Sequence, residues 1–242
     1  MVDINCIDVT YDFSEDYCKD IDPDKYNLIL RNWHKKLWEK PLPYKKIIFS
    51  LVEKDHGLYH NSDLGEYYLT SDSIVHTYSR QKSISDIINK IPKEEINNFF
   101  HIACRIGAYI LFPGYCIDKK QTINGARGFN SKIADRFDLT LECIRLYYNG
   151  EKNTQVNPLG EVINRYNSFF ALFTDFKGYC NFFLLQDLTK DNYSKINFFL
   201  PFNGFTSKPR PSSVEEYNIY KEQSINFVNN RNKRIQEYLN NE

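Results

Sequence analysis

The spacing of apolar residues predicts a helix close to the start of the chain. These residues recur at helical intervals: Tyr26, Ile29, Leu30, Trp33 and Leu37. We expect the helix to open at Asp22 and Pro23, with Asp22 as its N-cap, and to end at Pro41. The preceding residues, 7–13, are predicted to form an edge strand.

Short segments rich in aromatic and β-branched residues predict a small sheet in the first half of the chain. They are residues 47–52, 65–70, 74–78 and 108–112. The last segment is wholly apolar and stops at Pro113, which is typical of a buried strand. Thr122 and Ile123 are predicted to pair with it before a turn at Asn124 and Gly125. Residues 57–59 are predicted to form a turn.

Helical spacing dominates the rest of the chain. It predicts helices over residues 83–90, 94–101, 135–148 and 159–173, and a helix or buried segment over residues 179–188. A long final helix is predicted to begin at a cap formed by Ser212 or Ser213. Acidic Glu215 and Glu216 in its first turn suit the helix dipole, as do basic residues near its end.

Together these elements predict a single α+β domain over residues 1–242. A small antiparallel sheet from the N-terminal half, about residues 1–125, packs against a mainly helical layer, about residues 126–242. The chain is 42% hydrophobic and contains 18 Phe and 18 Tyr, which supplies enough apolar surface for a core.

The overall charge of the chain is balanced, which leaves only a local basic patch to attract an anionic partner. The 31 basic and 31 acidic residues cancel, so no global field attracts nucleic acid or a membrane. Apolar runs are shorter than the ~20 residues of a membrane-spanning helix, and the N-terminus lacks the pattern of a signal peptide. No cysteine pair has CxxC spacing. We therefore expect a cytoplasmic protein with no membrane partner; oligomeric state is not indicated.

The densest group of charges lies in residues 122–148, TINGARGFNSKIADRFDLTLECIRLYY. Gly125 and Gly128 predict a loop whose backbone approaches a ligand closely, and Arg127 lies between them. A glycine-containing loop that leads into a helix N-terminus is a reasonable anion site. On the helix that follows, one stripe is apolar: Phe137, Leu141, Ile144 and Tyr148. A second stripe is charged: Asp138, Glu142 and Arg145.

This pattern predicts a polar cleft that binds a phosphate-bearing ligand, either a small molecule such as a nucleotide or the end of a nucleic acid. The predicted ligand-binding residues are Asn124, Arg127, Asn130, Asp135, Arg136 and Arg145. Arg127 and Arg136 are expected to hold the anion bidentately. The predicted acid–base residues are Asp138, Glu142 and His76.

Other interpretations of the same charges stay open. In a purely structural interpretation, these charged side chains only form ion pairs on a solvated helix. Asp135, Asp138 and Glu142 also offer oxygen ligands to Mg²⁺, although the nearby arginines would neutralise them. Whether the protein is an enzyme is not decided. The main rival is a non-enzymatic protein-interaction module, and a third option is a single-strand-binding protein whose basic cluster at residues 31–36 surrounds Trp33.

Several polar residues outside this segment are further candidates. His76 is expected on a strand, either as a general acid or base or as a hydrogen-bonded structural histidine. Residues 70–73, TSDS, favour a turn or helix cap over a phosphate-contacting loop. His56 and His60 have metal-ligand spacing only if they lie on a helix, and Gly57 argues against one. Asp187, if buried, is expected to pair with Arg127 or Arg136.

Long strings of the sequence resemble a known family. They are TINGARGFNSKIADRFDLTLECIRLYY, NPLGEVINRYNSFFALFTDFKGYCNFFLLQDL, NFFLPFNGF and SVEEYNIYKE, with similar strings upstream. The chain resembles uncharacterised prokaryotic and phage proteins over nearly its whole length. This resemblance implies one family-wide domain in a bacterial or mobile-element setting, and it implies no activity.

Overall fold

A computed structural model describes residues 7–15, 27–55 and 57–241. Its α-helices are α1 (Leu28–Trp38), α2 (Ser85–Ile88), α3 (Lys93–Ala103), α4 (Ile123–Phe129), α5 (Phe137–Tyr148), α6 (Gly160–Arg165), α7 (Asn167–Ala171), α8 (Phe176–Phe182) and α9 (Val214–Asn240). Its strands are β1 (Val52–Lys54), β2 (Gly57–Ser62), β3 (Gly65–Ser73), β4 (Tyr109–Pro113), β5 (Thr189–Lys190) and β6 (Lys195–Ile196). Short 3₁₀ turns cover Phe13–Glu15, Lys82–Ile84, Ile106–Ala108 and Gln186–Leu188.

The main sheet is antiparallel, with strand order β1-β2-β3-β4. Leu69 of β3 lies opposite Leu58 on one side and Pro113 on the other. β1 is an edge strand whose three residues are all exposed. The helices α4 to α9 follow in the second half of the chain, so the predicted α+β class is confirmed. The first half also contributes α1 to α3, and the single-domain assignment stays a prediction.

The aromatic core is centred on Trp38 at the end of α1, which is fully buried. Its ring centroid lies 5.1 Å from those of Phe49 and Phe182 and about 6 Å from those of Phe169 and Phe173. Because these rings come from before the sheet and from α7 and α8, the core joins both halves of the chain. Aromatic pairs at such separations stabilise a core beyond the area they bury.

The helix α9 begins at its predicted cap, but it continues to Asn240 and has no basic residue in its last turn, so that part of the dipole prediction was wrong. Ser213 is the N-cap, and its hydroxyl accepts a hydrogen bond from the Glu216 amide at 3.2 Å, as predicted. Farther along, the buried Arg231 side chain donates to the carbonyl oxygens of Phe183 (3.1 Å), Gly107 (2.9 Å) and Tyr109 (2.6 Å). This guanidinium therefore holds α9 against α8 and the start of β4.

His34, on α1, provides a pH-dependent contribution to stability. The residue is 1% exposed, with Nε2 3.0 Å from the Ser71 hydroxyl. Burial, with a smaller effect of Arg231, lowers the pKa of His34 from 6.5 to about 3. The unfolded chain therefore takes up this proton first, so the stabilisation is complete above pH 6.5 and is lost as the pH falls toward 3.

We expect His34 to reduce the free energy of unfolding by about 2 kcal/mol between pH 7 and pH 5, because pH 5 lies about 1.5 units below the unfolded pKa. Urea unfolding at both pH values, on the wild type and on His34→Gln, measures it. The other histidines are common to both proteins, so their effects cancel in the comparison. Equal pH dependence in the two proteins would contradict the assignment to His34.

Three predicted strands in the first half were wrong. Residues 7–13 contain no strand, because the Tyr11 amide bonds the Asp8 carbonyl in a turn. Residues 47–51 lie outside β1, and the Ile47 carbonyl instead accepts from the Leu42 amide. Residues 74–78 follow the end of β3 without continuing it. The predicted turn at residues 57–59 is instead the start of β2.

The start of the first predicted helix falls outside the described residues, since residues 16–26 include Asp22 and Tyr26. The described helix α1 begins at Leu28 with Asn27 as its N-cap, whose side chain accepts from the Leu30 amide at 2.7 Å. Its predicted apolar face is confirmed, because Leu30, Trp33 and Leu37 are buried. Across the described residues, no helix combines the length and the apolar character needed to cross a bilayer.

Candidate functional site

The predicted glycine loop at residues 124–130 is a helix. Thr122 caps α4, its hydroxyl accepting a hydrogen bond from the Gly125 amide at 3.1 Å. Because this cap starts a helix immediately, Thr122 and Ile123 do not pair with a strand, and both predictions were wrong. Gly128 still allows a close approach: a Cβ atom there would lie 3.1 Å from Oδ1 of Asp135.

Arg127 joins three parts of the chain and is fully buried. Its Nη1 donates to the Asp72 carboxylate and to the Ser73 carbonyl at 3.0 Å. Its Nη2 donates to the Asp135 carbonyl at 2.6 Å, and its Nε to the Thr140 hydroxyl at 3.2 Å. A ligand anion would have to share this guanidinium with the end of β3, the turn before α5 and α5 itself.

Arg136 and Asp138 form a buried ion pair at the start of α5. Nε and Nη2 of Arg136 donate to the two carboxylate oxygens of Asp138, the first at 3.1 Å. Asp138 also accepts from the Phe199 amide at 2.9 Å, and Arg136 donates to the Pro209 carbonyl at 2.9 Å. Asp138 is 0% exposed, and its carboxylate is engaged by Arg136 and by the Phe199 amide. It holds the segment that follows β6 against α5.

Glu142 and Arg145 lie elsewhere, at the rim of a cavity. Nε and Nη2 of Arg145 donate to the Glu142 carboxylate at 2.7 and 2.8 Å. The two side chains line an open cavity of about 630 Å³, which we call the Glu142 cavity. Its lining also includes Lys190, Lys195 and a segment of two half-buried phenylalanines, Phe198 and Phe202. The predicted charged stripe is therefore divided between a buried pair and a cavity rim.

Two of the predicted ligand residues, Arg127 and Asp135, carry charges that act on His76, which lies three residues after the end of β3. His76 donates its backbone amide to the Tyr220 hydroxyl at 3.1 Å. The charged groups that act on its ring are Arg127, Asp135, Asp72 and Arg210. We call these five residues the His76 cluster. It combines two predicted ligand residues and a predicted acid–base residue with Asp72 and Arg210.

Two side chains of the His76 cluster carry polar atoms without partners. The ring nitrogen Nε2 of His76 and Nε of Arg210 are both enclosed, and neither has a hydrogen-bond partner in the described part of the chain. Oδ1 of Asn124, on α4, is also enclosed and without a partner. Buried polar atoms are normally hydrogen-bonded, so each of these is a place where a ligand atom would be stabilised.

The Asp135 carboxylate is held in position by an uncommon backbone. Asp135 and the preceding Ala134 have φ values of 62° and 47°, in the left-handed region that costs energy for residues other than glycine. In the described ranges, no hydrogen bond or ion pair engages the Asp135 side chain, which is partly exposed. The backbone therefore presents a carboxylate that remains available to a ligand or to His76.

Burial and then Arg127 lower the pKa of His76, while Asp135 and Asp72 oppose this shift. The ring is therefore neutral near pH 7 and able to accept a proton. Asn130 has a different place: its side chain accepts from the Lys132 amide at 2.9 Å and donates to the Pro158 carbonyl at 3.3 Å. These bonds make Asn130 part of the turn that leads into α5.

The described residues do not provide a set of metal ligands at this site. Among the described residues, no three His, Cys, Asp or Glu side chains are grouped as metal ligands. Asp138 and Glu142 are each engaged by an arginine, which separates them from Asp135. His60 bonds the Ser50 carbonyl at 2.8 Å and the Ser62 hydroxyl at 2.8 Å on β2, and His56 lies outside the described residues.

Two residues of the His76 cluster were missed or misplaced by the sequence analysis. Asp72 was assigned to a turn or cap, but it lies on β3, paired with Ile110 of β4. Arg210 was not considered; it lies between Pro209 and Pro211, and that Pro-Arg-Pro string was the available signal of a fixed arginine. The expected partner of Asp187 was also wrong, because it binds Arg234 of α9 at 2.6 Å.

Comparison with known families gives one match. The profile of a family described as a family of unknown function (DUF6994) matches residues 7–235. The chain belongs to DUF6994. Neither the search of curated proteins nor the search of solved structures found a match.

Membership of DUF6994 confirms the resemblance in its general form, a family of unknown function that covers nearly the whole chain. The prokaryotic or phage setting stays a prediction. Because the DUF6994 description names no activity, the function of this chain has to be argued from its side chains. The His76 cluster and the Glu142 cavity both lie within the matched residues.

Proposed function

We propose that this protein binds a phosphate-bearing ligand at the His76 cluster, with the phosphate of a nucleotide or of a nucleic-acid end as the recognised group. The observation that supports this most directly is the pair of enclosed nitrogen atoms without partners, on His76 and Arg210. Arg210 is one of the charges that act on the His76 ring, and a guanidinium beside an imidazole suits an anion with several acceptor oxygens.

One cation of the cluster is left without an ion-pair partner. Asp72 is already engaged by Arg127. Arg210 forms no ion pair within the described residues. A bound phosphate would supply acceptors for Arg210 and for His76 without displacing the four hydrogen bonds that Arg127 makes.

The proposal also extends to proton transfer by His76. A neutral imidazole beside a bound phosphate gains a proton more readily, because the negative charge stabilises the imidazolium. Asp135, whose carboxylate has no described hydrogen-bond partner and acts electrostatically on the His76 ring, is the group that we propose orients the ring or accepts its proton. His76 and Asp135 are therefore the acid–base residues in this proposal, and Asp138 and Glu142 act through the ion pairs that hold the neighbouring segments.

Calorimetric titration with inorganic phosphate, ribose 5-phosphate and nucleoside monophosphates, with and without Mg²⁺, tests the proposal. We expect Arg210→Ala to weaken binding by about 10- to 100-fold, because a charge-assisted hydrogen bond is worth about 1.5–3 kcal/mol. The matched control is Arg234→Ala, which removes the same charge from the partly exposed pair with Asp187 and should leave the affinity unchanged.

Proton uptake gives a second readout. Titration of the wild type at pH 7 in buffers with different ionisation enthalpies should show net proton uptake on binding, and His76→Gln should lose it. Absence of binding by every probe, or equal affinities of the wild type and Arg210→Ala, would count against the proposal. Binding without proton uptake would remove the acid–base role of His76 and leave the binding role.

The rival proposal, a protein-interaction module, has one observation in its favour. Phe129 at the end of α4 is 82% exposed, which is unusual for a large aromatic side chain. The same titrations discriminate between the two proposals, because an interaction module has no reason to bind small phosphates through Arg210.

A further inference from the structure

The Glu142 cavity has the size and the shape of a ligand site, and it is not part of the His76 cluster. Its volume of about 630 Å³ lies in the range of small-molecule pockets. Segments distant in sequence line it: α5, the β5–β6 hairpin, the segment that follows β6, and α9. A cavity built from four parts of the chain is more than a gap beside one loop.

Two lysines face each other at the rim of this cavity. Lys190 of β5 and Lys195 of β6 are directly opposed in the antiparallel register. Like charges in opposed positions destabilise a strand pair. Lys195 is partly compensated by Asp191 at 2.8 Å, in a pair that is exposed on both sides, whereas Lys190 has no ion pair in the described part of the chain. An anionic ligand would relieve this repulsion.

The wall beside the lysines is aromatic. The rings of Phe198 and Phe202 stack on each other, with centroids 4.3 Å apart and planes 24° apart. Both side chains are half-buried and line the cavity, next to the exposed Ile219 of α9. A planar aromatic group would extend this stack. The amides of Asn197 and Gln223 add hydrogen-bonding groups in the same lining.

The third cation of the lining is already neutralised. Arg145 is held by the Glu142 carboxylate through two hydrogen bonds, which leaves the two lysines as the positive charge of the cavity. The lining therefore offers an aromatic stacking surface next to two opposed cations. That combination matches a nucleobase joined to a phosphate.

We propose that the Glu142 cavity is a second binding site that takes one nucleotide unit, with its base stacked against Phe198 and Phe202 and its phosphate held by Lys190 and Lys195. The unit comes from a free mononucleotide or from a single-stranded nucleic acid, and these two sources share the recognised chemistry.

Fluorescence anisotropy with a labelled thymidine hexanucleotide, and competition by thymidine monophosphate, tests this site. We expect wild-type binding that weakens about 2.6-fold when salt rises from 50 to 200 mM, since one phosphate contact on a single strand gives that dependence. The double variant Lys190→Ala, Lys195→Ala should lose both the affinity and the salt dependence. Phe202→Leu, which keeps an apolar side chain without an aromatic face, should bind at least about 5-fold more weakly.

Controls separate this site from general charge and from the His76 cluster. Lys233→Ala removes an exposed lysine of α9 outside the cavity and should bind like the wild type. The hexanucleotide carries no terminal phosphate, and the lysine double variant should bind inorganic phosphate like the wild type, so this test succeeds or fails independently of the proposed function. Thermal melting of each variant establishes that it is folded.

The outcomes assign the ligand or reject the site. Competition by thymidine monophosphate at similar concentrations assigns a free nucleotide, and weak competition assigns a single strand. The proposal is overturned if an abasic hexamer binds as tightly as the hexanucleotide, or if neither probe binds the wild type at about 1 mM. Unchanged hexanucleotide binding in the lysine double variant would also overturn it.

Discussion

Asp138→Ala is expected to lower the free energy of unfolding by about 3–5 kcal/mol, because it leaves the buried charge of Arg136 without its partner. Asp138 is 0% exposed and also accepts a hydrogen bond from the Phe199 amide. The substitution therefore leaves a second buried donor without a partner. Urea unfolding of the purified chain measures the change as a shift in midpoint. Because the charges lie inside the protein, added salt should restore little of the loss.

The matched control for this prediction is Asp191→Ala, which breaks an exposed pair with Lys195. Exposed pairs contribute about 0–1 kcal/mol, so the control should be close to the wild type. The double variant Asp138→Leu, Arg136→Met should recover much of the stability, since apolar residues of similar size often replace a buried pair without loss. If Asp138→Ala were as stable as the Asp191 control, the buried pair would have no structural role.

Arg231→Ala is expected to destabilise the fold to a similar extent, by at least about 3 kcal/mol, for a different reason. The buried carbonyl oxygens of Phe183 and Gly107 lose their donor, as does the partly buried carbonyl of Tyr109, and an unsatisfied buried polar group costs about 1–3 kcal/mol. Burial lowers the pKa of Arg231 to about 9, because it disfavours the charged form. Its hydrogen bonds must outweigh that cost.

Arg231→Met tests this balance, because it removes the charge and keeps most of the volume. If the hydrogen bonds dominate, Met will be less stable than the wild type but more stable than Ala. If the buried charge dominates, Met will be more stable than the wild type, and our interpretation of Arg231 as a stabilising residue will be wrong. Thermal and urea unfolding of the three proteins provide the comparison.

The parts of the fold that the sequence predicted are those governed by local rules. The apolar face of α1, the buried strand β4 and the cap of α9 at Ser213 each depend on residues within one or two turns of one another. The strand β2 was missed because Gly57 and Asn61 disfavour a strand locally. Pairing with β3 overrides that preference, as does the bond from His60 to the Ser50 carbonyl.

The helix α4 shows the same limit. Gly125 and Gly128 each cost about 1 kcal/mol in a helix interior, which favours a loop. The Thr122 cap and the buried contacts of Arg127 outweigh that cost. The partners of Arg127 include Asp72, 55 residues away, and no periodicity in the sequence identifies a contact at that separation.

The sequence located the candidate site only in part, for a similar reason. The density of charge in residues 122–148 identified a polar region, and helical spacing placed Asp138, Glu142 and Arg145 on one stripe. Spacing does not determine which charge pairs with which. Asp138 pairs with Arg136, which precedes the helix and so lies outside that stripe. Asp72 and Arg210 join the cluster only through the path of the chain in three dimensions.

The edge strand β1 bears on how this protein avoids unwanted assembly. An open sheet edge offers free amides and carbonyls to any extended peptide, and proteins protect such edges with short, charged strands. β1 is three residues long, and its central Glu53 is bound by Arg31 at 3.2 Å and by Lys35 at 2.7 Å. A strand added at this edge would form few hydrogen bonds with β1 and would lie beside a cluster of fixed charges. Fibre growth from this edge is therefore disfavoured.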